Sequence, residues 1–415
     1  MRNTSFLWII FGIMLLLDIY IFQAIKYVLP SGSPKLRVAI IVIYWLLAVF
    51  LLAMVVFLPY LHDSIPRQVR TYLIALMVAA FFSKAIASLF FAFDDLRRGA
   101  TWLLVKLFRS PVHDVNDVSN GGISRSAFIS WLGLAFGGGL FTTFIYGFSN
   151  KYKYNVKRID VSFERLPSSF RGLKIVQISD VHSGSFNNKD AVKRGIDKIK
   201  QEEPDIILFT GDLVNDQAVE MLDYIDLFSE LKAPMGVYSV LGNHDYGEYF
   251  RWPSEQDKMN NLEQLKEVHK AMGWRLLLNE HVQFERNNEK IALLGVENWS
   301  AKGNFPKYGK LADAHAGTEN IPFKILMSHD PSHWDGEVKL KYNDIDLMLS
   351  GHTHGMQFGV EIPGFRWSPV QYMYKQWAGL YADGGQKLYV NRGFGFIGYP
   401  GRVGILPEIS VLTLT

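Results

Sequence analysis

A chain of 415 residues, 49% of them hydrophobic, is too long for one small domain and too apolar for an ordinary soluble enzyme. Its 43 basic and 40 acidic residues leave a net charge of +3, which gives no sign of the basic patch or stripe of a nucleic-acid-binding surface, and no nucleic-acid partner is expected. Cysteine is absent, which excludes disulfides and thiolate ligands and leaves any metal site to His, Asp, Glu and Asn, a donor set suited to Mn, Fe or Zn.

The apolar excess lies before residue 150. Residues 6–25, 38–58, 71–93 and 127–148 are each about twenty long and nearly free of charge, which predicts four transmembrane helices in a multi-pass region over residues 1–150. The first could also be read as a signal peptide, but its apolar core is long and no small-residue cleavage site follows, so it is read as retained. Residues 102–109 mix apolar and basic side chains, as an interfacial helix or an extension of the third span would.

Asp18 and Lys84 fall at similar depth in spans that run the same way, so a buried ion pair is expected, the alternative being that each snorkels or is neutralised separately. Gly133 and Gly137 have the spacing that lets helices approach closely, and Gly138 and Gly139 are expected to broaden that surface. Basic residues number seven on one side of the membrane and eight on the other, a near tie for orientation. Residues 124–129 look like a twin-arginine export signal with one arginine lost, which favours an extracytoplasmic catalytic half.

From about residue 157 short apolar runs alternate with polar helical stretches, the pattern of an α/β sheet protein. Residues 173–179 read as a strand that delivers Asp180-Val181-His182, and in an extended Asp-x-His both side chains share a face and can chelate a metal. Residues 188–203 form an amphipathic helix with Val192, Ile196 and Ile199 on one side, closed by Pro204. The strand 205–210 opens into Gly211-Asp212, where the carboxylate is either a turn residue or a bridge between two metals.

The run 237–241 stops at Gly242-Asn243-His244-Asp245. There the glycine permits a tight turn, Asn243 offers a neutral oxygen and His244 an imidazole. Strands are predicted over 290–296, over 323–328 ending at His329, and over 345–350 ending at Gly351-His352-Thr353-His354. His333 competes with His329 as a ligand but does not directly follow the strand. Five of the eleven histidines thus stand at predicted strand ends beside Asp, Asn or Gly, which scattered core histidines would not do.

This ordered series resembles the calcineurin-like metallophosphoesterases, and most closely a membrane-associated branch whose last motif reads Gly-His-Thr-His-Gly. The resemblance covers residues 157–415 and implies an α/β fold, a four-layer α-β-β-α sandwich with a dinuclear metal site at the strand ends, here preceded by the helical transmembrane region. It implies that Asp180, His182 and His354 hold one divalent ion (Mn, Fe or Zn), that Asn243, His329 and His352 hold a second, and that Asp212 bridges them. It further implies that His244 contacts the phosphoryl oxygens and protonates the leaving group, with Asp245 orienting it. Met356 departs from the pattern, standing where many relatives have a second glycine.

Two divalent ions about 3.5–4 Å apart can activate a bridging water for in-line attack and neutralise the attacking and leaving oxygens. The expected protein is therefore a membrane-tethered, metal-dependent phosphoesterase acting on a phosphodiester or pyrophosphate bond. Its substrate is a phosphorylated small molecule or, given the spans, a lipid-linked one; the contrasting class is a non-enzymatic receptor or scaffold binding a phosphorylated ligand. Trp367, Tyr372, Tyr374, Trp377 and Tyr381 form either ordinary core and cover or an interfacial collar, at the level of the membrane lipids, for a lipid-linked substrate. Arg392 and Arg402 could offer phosphate a guanidinium and are left outside the expected site.

Overall fold

A computed structural model describes all residues except 1–3, 30–32, 62–63, 109–123 and 304, with side chains described from Leu7. The chain divides into two compact units, Met1–Tyr146 and Gly147–Thr415.

The first unit contains α1 (Thr4–Val28), α2 (Pro34–Phe57), α3 (Arg67–Phe108) and α4 (Arg125–Gly147), four helices long and apolar enough to cross a membrane. Unbroken over 42 residues, α3 takes in 102–108 as an extension of the third span, while Arg109 and Arg2 lie outside the described residues. Pro34 opens α2, where its missing N–H costs nothing. The Ser124 hydroxyl accepts from the Ala127 amide at 3.2 Å, so the Ser-Arg-Ser stretch serves locally as a helix start.

Lys84 Nζ lies 2.5 Å from Asp18 Oδ1, and the Tyr44 hydroxyl donates to the Asp18 carbonyl at 2.7 Å and to Oδ1 at 3.1 Å. Asp18 is fully buried. Pairing offsets the desolvation of both charges, which neither could bear alone in an apolar bundle. Gly133 and Gly137 are where α4 meets α3: an added Cβ would fall 2.7 Å from the Phe91 ring and 2.8 Å from the Ala87 side chain, respectively. Gly138 and Gly139 have nothing within 4 Å, which corrects the expectation that they widen the contact. Residues four apart share a helix face, whereas the next residue is turned about 100° away.

The second unit has two six-stranded sheets. The first runs β1 (Asn155–Val161), β14 (Glu408–Leu414), β2 (Lys174–Ile178), β3 (Ile206–Phe209), β4 (Val237–Ser239) and β5 (Arg275–Leu276). The second runs β12 (Gly379–Asp383), β13 (Gln386–Val390), β9 (Leu347–Ser350), β8 (Phe323–Met327), β7 (Glu289–Gly295) and β6 (Glu280–Arg286), and a separate hairpin pairs β10 (Val360–Ile362) with β11 (Phe365–Trp367). Alternating side chains divide between two faces of each sheet. Ile175, Leu208 and Val240 pack with Leu293, Ile325 and Leu349 between the sheets. Val176, Ile207 and Phe209 turn outward onto Val192, Ile196 and Ile199 of α5 (Lys189–Gln201) and Leu265 of α7 (Glu255–Ala271), numbered after the short α6 (Ile225–Phe228).

Leu294, Leu326 and Met348 turn onto Leu311 and Ala314 of α8 (Leu311–His315) and onto Trp334. Helix, sheet, sheet, helix is the four-layer sandwich. The helix expected over 188–203 forms as α5, which the Asn188 side chain caps by accepting from Ala191 N at 2.9 Å.

Register places the site. Ile178 is opposite Phe209 and Phe209 opposite Ser239 in parallel pairs, as Gly295, Met327 and Leu349 are in the other sheet. The chain therefore leaves each of these strands at one edge of the sandwich. Gln177 Nε2 clasps the two sheets there, donating to Thr210 Oγ1 at 3.0 Å and to the Ser350 carbonyl at 2.9 Å.

Candidate metal centre

Two groups of buried ligand-bearing side chains collect at this edge among the described residues, Asp180 with His182 and His354, and Asp212 with His329 and His352. Within each group one ligand atom per residue lies within 4.8 Å of the others. The backbone that presents them is not the extended one expected of Asp-x-His and His-x-His. Asp180, His182, Asp212, His352 and His354 have φ of 52°, 49°, 61°, 71° and 50°. Left-handed turns at non-glycine residues cost roughly 1–3 kcal/mol each and persist where surrounding structure enforces them. The pairs of ligands converge because the chain curls at both residues, not because a strand sends alternate side chains to one face.

His182 Nε2 and His354 Nε2 face each other at 3.0 Å, and the latter is 3.2 Å from Asp180 Oδ1. Asp212 Oδ2 lies 3.6 Å from His182 Nε2 and 3.1 Å from His329 Nε2, so one carboxylate oxygen reaches toward both groups. Asn243 Oδ1 joins the second group, 2.9 Å from His352 Nδ1. The remaining ring nitrogens are held from behind: His329 Nδ1 by the Thr210 carbonyl at 2.7 Å and His352 Nε2 by the Tyr374 hydroxyl at 2.9 Å. Such outer partners fix which nitrogen is turned to a metal.

The donor set fits two divalent ions. His329 Nε2 and Asp212 Oδ2 are buried 3.1 Å apart, close enough for one ion to take both as ligands. Burial pushes His182 down to about 3 and also lowers His352 and His354, keeping them in the neutral form that ligates metals. Burial, with the charge of Asp212 adding to it and that of His329 opposing, pushes Asp180 up to about 6. His329, which burial would lower, is instead held up to about 10 by the Asp212 carboxylate. Cations between these residues would stabilise the clustered carboxylates and take the place of the proton on His329. Glycine makes the room: a Cβ on Gly242 would collide with the Asp212 carboxylate, and one on Gly351 with Asp180 and Ser179.

His244 stands beside the first group, its ring centroid 4.9 Å from that of His182. Its Nδ1 meets the Asn215 carbonyl at 2.7 Å and its backbone N–H donates to Asp212 Oδ1 at 2.8 Å. Asp245 does not orient the imidazole, contrary to expectation. Its carboxylate is consumed by the backbone amides of Gly242, Asp212, Leu213 and Val214 at 2.8, 2.9, 2.8 and 3.3 Å, which lock the Asp212 loop to the Asn243 turn. Burial and the charge of Asp212 push the Asp245 carboxyl up to about 7 against those four donors.

His333 is outside the cluster, bonded to Ser328 Oγ at 2.9 Å and Glu337 at 3.1 Å. Arg402 is fully buried and donates to the carbonyls of His354, Arg392, Gly393 and Gly395, making it a strut beneath the last motif; Arg392 is occupied by Glu408 and Glu361. The aromatic segment splits. Trp377 is buried, the Tyr381 hydroxyl accepts from the Trp377 amide at 3.0 Å, and Tyr374 enters the site, while Tyr372 is 78% exposed. Sequence reading missed Asp330, which accepts from the Tyr374 hydroxyl at 3.3 Å, although its place directly after His329 was a usable signal.

A four-layer sandwich with paired His/Asp groups at its strand ends defines a metal-dependent phosphoesterase. Residues 173–356 match the family model described as "Calcineurin-like phosphoesterase", and residues 1–151 match "Probable Calcineurin-like phosphoesterase, transmembrane domain". The chain is 31% identical over 253 residues to "Uncharacterized metallophosphoesterase YkuE" of Bacillus subtilis, covering 60% of this chain and 81% of that one. It is 30% identical over 246 residues to "Phosphodiesterase YaeI" of Escherichia coli, covering 58% and 82%. The "Transmembrane protein with metallophosphoesterase domain" of Danio rerio is 28% identical over 278 residues, with 65% of this chain spanning 60% of that protein's length. The chain belongs to the calcineurin-like metallophosphoesterase family, and its first 151 residues match that family's transmembrane-domain model.

Proposed function

We propose that this protein hydrolyses a phosphodiester or pyrophosphate bond of a lipid-linked substrate, with residues 1–150 as its membrane domain and 157–415 as its catalytic domain. Asp180, His182 and His354 would hold one divalent ion, Asn243, His329 and His352 would hold the other, and Asp212 would serve both. The observation that carries this is the position of Asp212 Oδ2 within 3.6 Å of His182 Nε2 and 3.1 Å of His329 Nε2. When bound, the two ions supply Lewis acidity and lower the pKa of water for attack on phosphorus. The all-N/O donor set suits Mn, Fe or Zn, and we favour manganese.

The chain's own residues position and move protons. His244 contacts the phosphoryl oxygens and acts as general acid. Because its Nδ1 is committed to the Asn215 carbonyl, the proton it delivers sits on Nε2. Asp245 acts through the backbone, holding Asp212 and Asn243 in register. Support for a lipid-linked substrate comes from Ile362 and Phe365, directly paired across the β10–β11 hairpin and 57% and 53% exposed, with Tyr372 and Met373 also exposed. Met373 and Tyr374 border the cavity of about 480 Å³ that opens beside His352 and Asn243.

The test is hydrolysis of a chromogenic phosphodiester together with metal analysis, in wild type and Asp212→Asn. Metal-dependent turnover that the substitution abolishes supports the reading; equal turnover in both overturns it. Purified protein that cleaves soluble diesters but never micellar lipids removes the lipid-linked substrate. The catalytic domain is placed on the extracytoplasmic side, and a reporter fused after Thr415 that is active only in the cytoplasm overturns that placement.

A further inference from the structure

An antiparallel hairpin at a protein surface ordinarily turns its apolar face to the body of the domain and its charged face to water. The β10–β11 hairpin is built the other way round. Register pairs Val360 with Trp367, Glu361 with Arg366 and Ile362 with Phe365, so the two charged residues share one face and the four apolar ones the other. The charged face is spent on the domain. Glu361 accepts from Lys157 at 2.5 Å and from Arg392 at 2.9 Å, and Arg366 donates to the Ala378 carbonyl and, at 3.3 Å, to the Tyr381 hydroxyl. On the opposite face Val360, Ile362 and Phe365 are exposed, and Trp367 donates to the hydroxyl of the exposed Tyr372 at 3.5 Å. Pro363-Gly364, which joins the strands, adds no charge at the tip.

Exposed apolar faces of this kind mark contact with a partner or a membrane, and the place of the hairpin along the chain favours the membrane. Its root lies beside the point where the chain enters the domain. Val403 pairs with Phe358 and its carbonyl accepts from Gly359 N at 2.9 Å, while the preceding residue, Arg402, donates through its backbone to the Gly147 carbonyl at 2.9 Å. Gly147 closes α4, the fourth helix apolar enough to cross a membrane, so no linker separates this root from a span. Tyr and Trp favour the boundary between lipid and water, as Tyr372 and Trp367 at the border of the face would require. The face itself offers no charge with which the polar rim of a protein partner could pair.

We propose that the tip and apolar face of the β10–β11 hairpin, bordered by Tyr372, form a membrane-docking surface that seats in the boundary between headgroups and acyl chains of a lipid bilayer. The assignment is independent of what the metal centre cleaves. Interfacial elements bury their apolar face about 5–10 Å into that boundary, with a strength that follows the apolar area buried. Ile362 and Phe365, paired at the tip, would enter deepest, and Tyr372 would keep its hydroxyl among the headgroups.

The test uses the full chain in nanodiscs of phosphatidylcholine. The sequence has no cysteine, so a single thiol can be introduced and labelled without a background. Phe365→Cys and Tyr372→Cys, each carrying a nitrobenzoxadiazole fluorophore, are compared with Glu285→Cys, an exposed position at the far edge of the sandwich where β6 turns into β7. Nitroxide-bearing phosphatidylcholine in the disc should remove most of the fluorescence at 365 and 372 and little at 285. Iodide in the water should do the reverse. Tyr372 is 78% exposed, so a label there leaves packing intact and the result does not hang on Phe365 alone.

Iodide quenching at 365 or 372 as strong as at 285 places the hairpin in water and overturns the proposal. Shielding of 365 and 372 from both quenchers overturns it as well, by showing that protein, from a second copy or another chain, covers the face. Lipid quenching at both positions in a chain that hydrolyses no phosphoester leaves the docking surface standing and removes only the catalytic reading.

Discussion

The two units bury ionisable groups in opposite ways. In the membrane unit, Asp18 and Lys84 close directly on each other at 2.5 Å and a tyrosine hydroxyl completes the cluster. In the phosphoesterase unit, Asp180 and Asp212 stand among His182, His329, His352 and His354, and their facing atoms meet at shared points. An ion pair cancels its own charge within the bundle, whereas a cluster of carboxylates and imidazoles around one point gathers the donors of a metal site. Buried charge by itself therefore says little about function; what matters is whether the partners pair off or converge.

The comparison is broken most decisively by the ions. Chelation should abolish phosphodiester turnover and a divalent metal should restore it, while Asp212→Asn should lower kcat by about 10³-fold or more because a removed shared carboxylate disturbs both groups at once. Activity in chelator, or an Asp212→Asn enzyme within tenfold of wild type, would place the catalytic centre elsewhere. Next in size, His244→Ala should cut turnover by about 10²–10⁴-fold with metal content retained, as expected for a lost general acid. Equal loss of metal and activity would show that His244 is structural.

The pair in the membrane unit should respond in stability and not in turnover. Asp18→Ala strands a lysine charge in an apolar bundle and should cost about 3–5 kcal/mol, whereas Asp18→Leu combined with Lys84→Met should recover most of it. Thermal unfolding in detergent measures both, and single substitutions without effect would sink the assignment of a structural pair. Smallest for each step of the measurement is a titration away from the site. His269 is fully buried with both ring nitrogens unbonded, and burial lowers it to about 3. Its folded pKa lies below the unfolded value of about 6.5, so the unfolded state binds the extra proton as pH falls, and stability declines by about 1.4 kcal/mol per pH unit from about pH 6.5 down to about 3. His269→Leu should remove that slope; an unchanged acid profile would show that His269 is not carried neutral.

Much of this was legible before any fold. Apolar runs of about twenty residues announce membrane helices because hydrocarbon admits no unpaired backbone. Short apolar runs that stop at Gly-Asp or Gly-Asn-His announce strand ends, because a strand gives way where glycine and polar residues begin. The ion pair could also be anticipated from equal depth in parallel spans. Single side chains were less legible. Asp-x-His suggested an extended chelate where the chain turns left-handed at φ of 52° and 49°. Asp245 suggested a partner for its neighbour's imidazole where it binds the amides of Leu213 and Val214, more than thirty residues away.

What the sequence determined by itself was thus local: hydrophobic period, span length, and which residues end each strand, all set by interactions within a turn or two of the chain. What only the tertiary structure decided is nonlocal. The Asp180 carboxylate packs against Gly351 and accepts from the His352 amide, the strut under His354 comes from Arg402, and the Asp212 loop is tied to the Asn243 turn by Asp245. Each depends on packing between segments tens to hundreds of residues apart, where no short-range pattern constrains which side chain meets which.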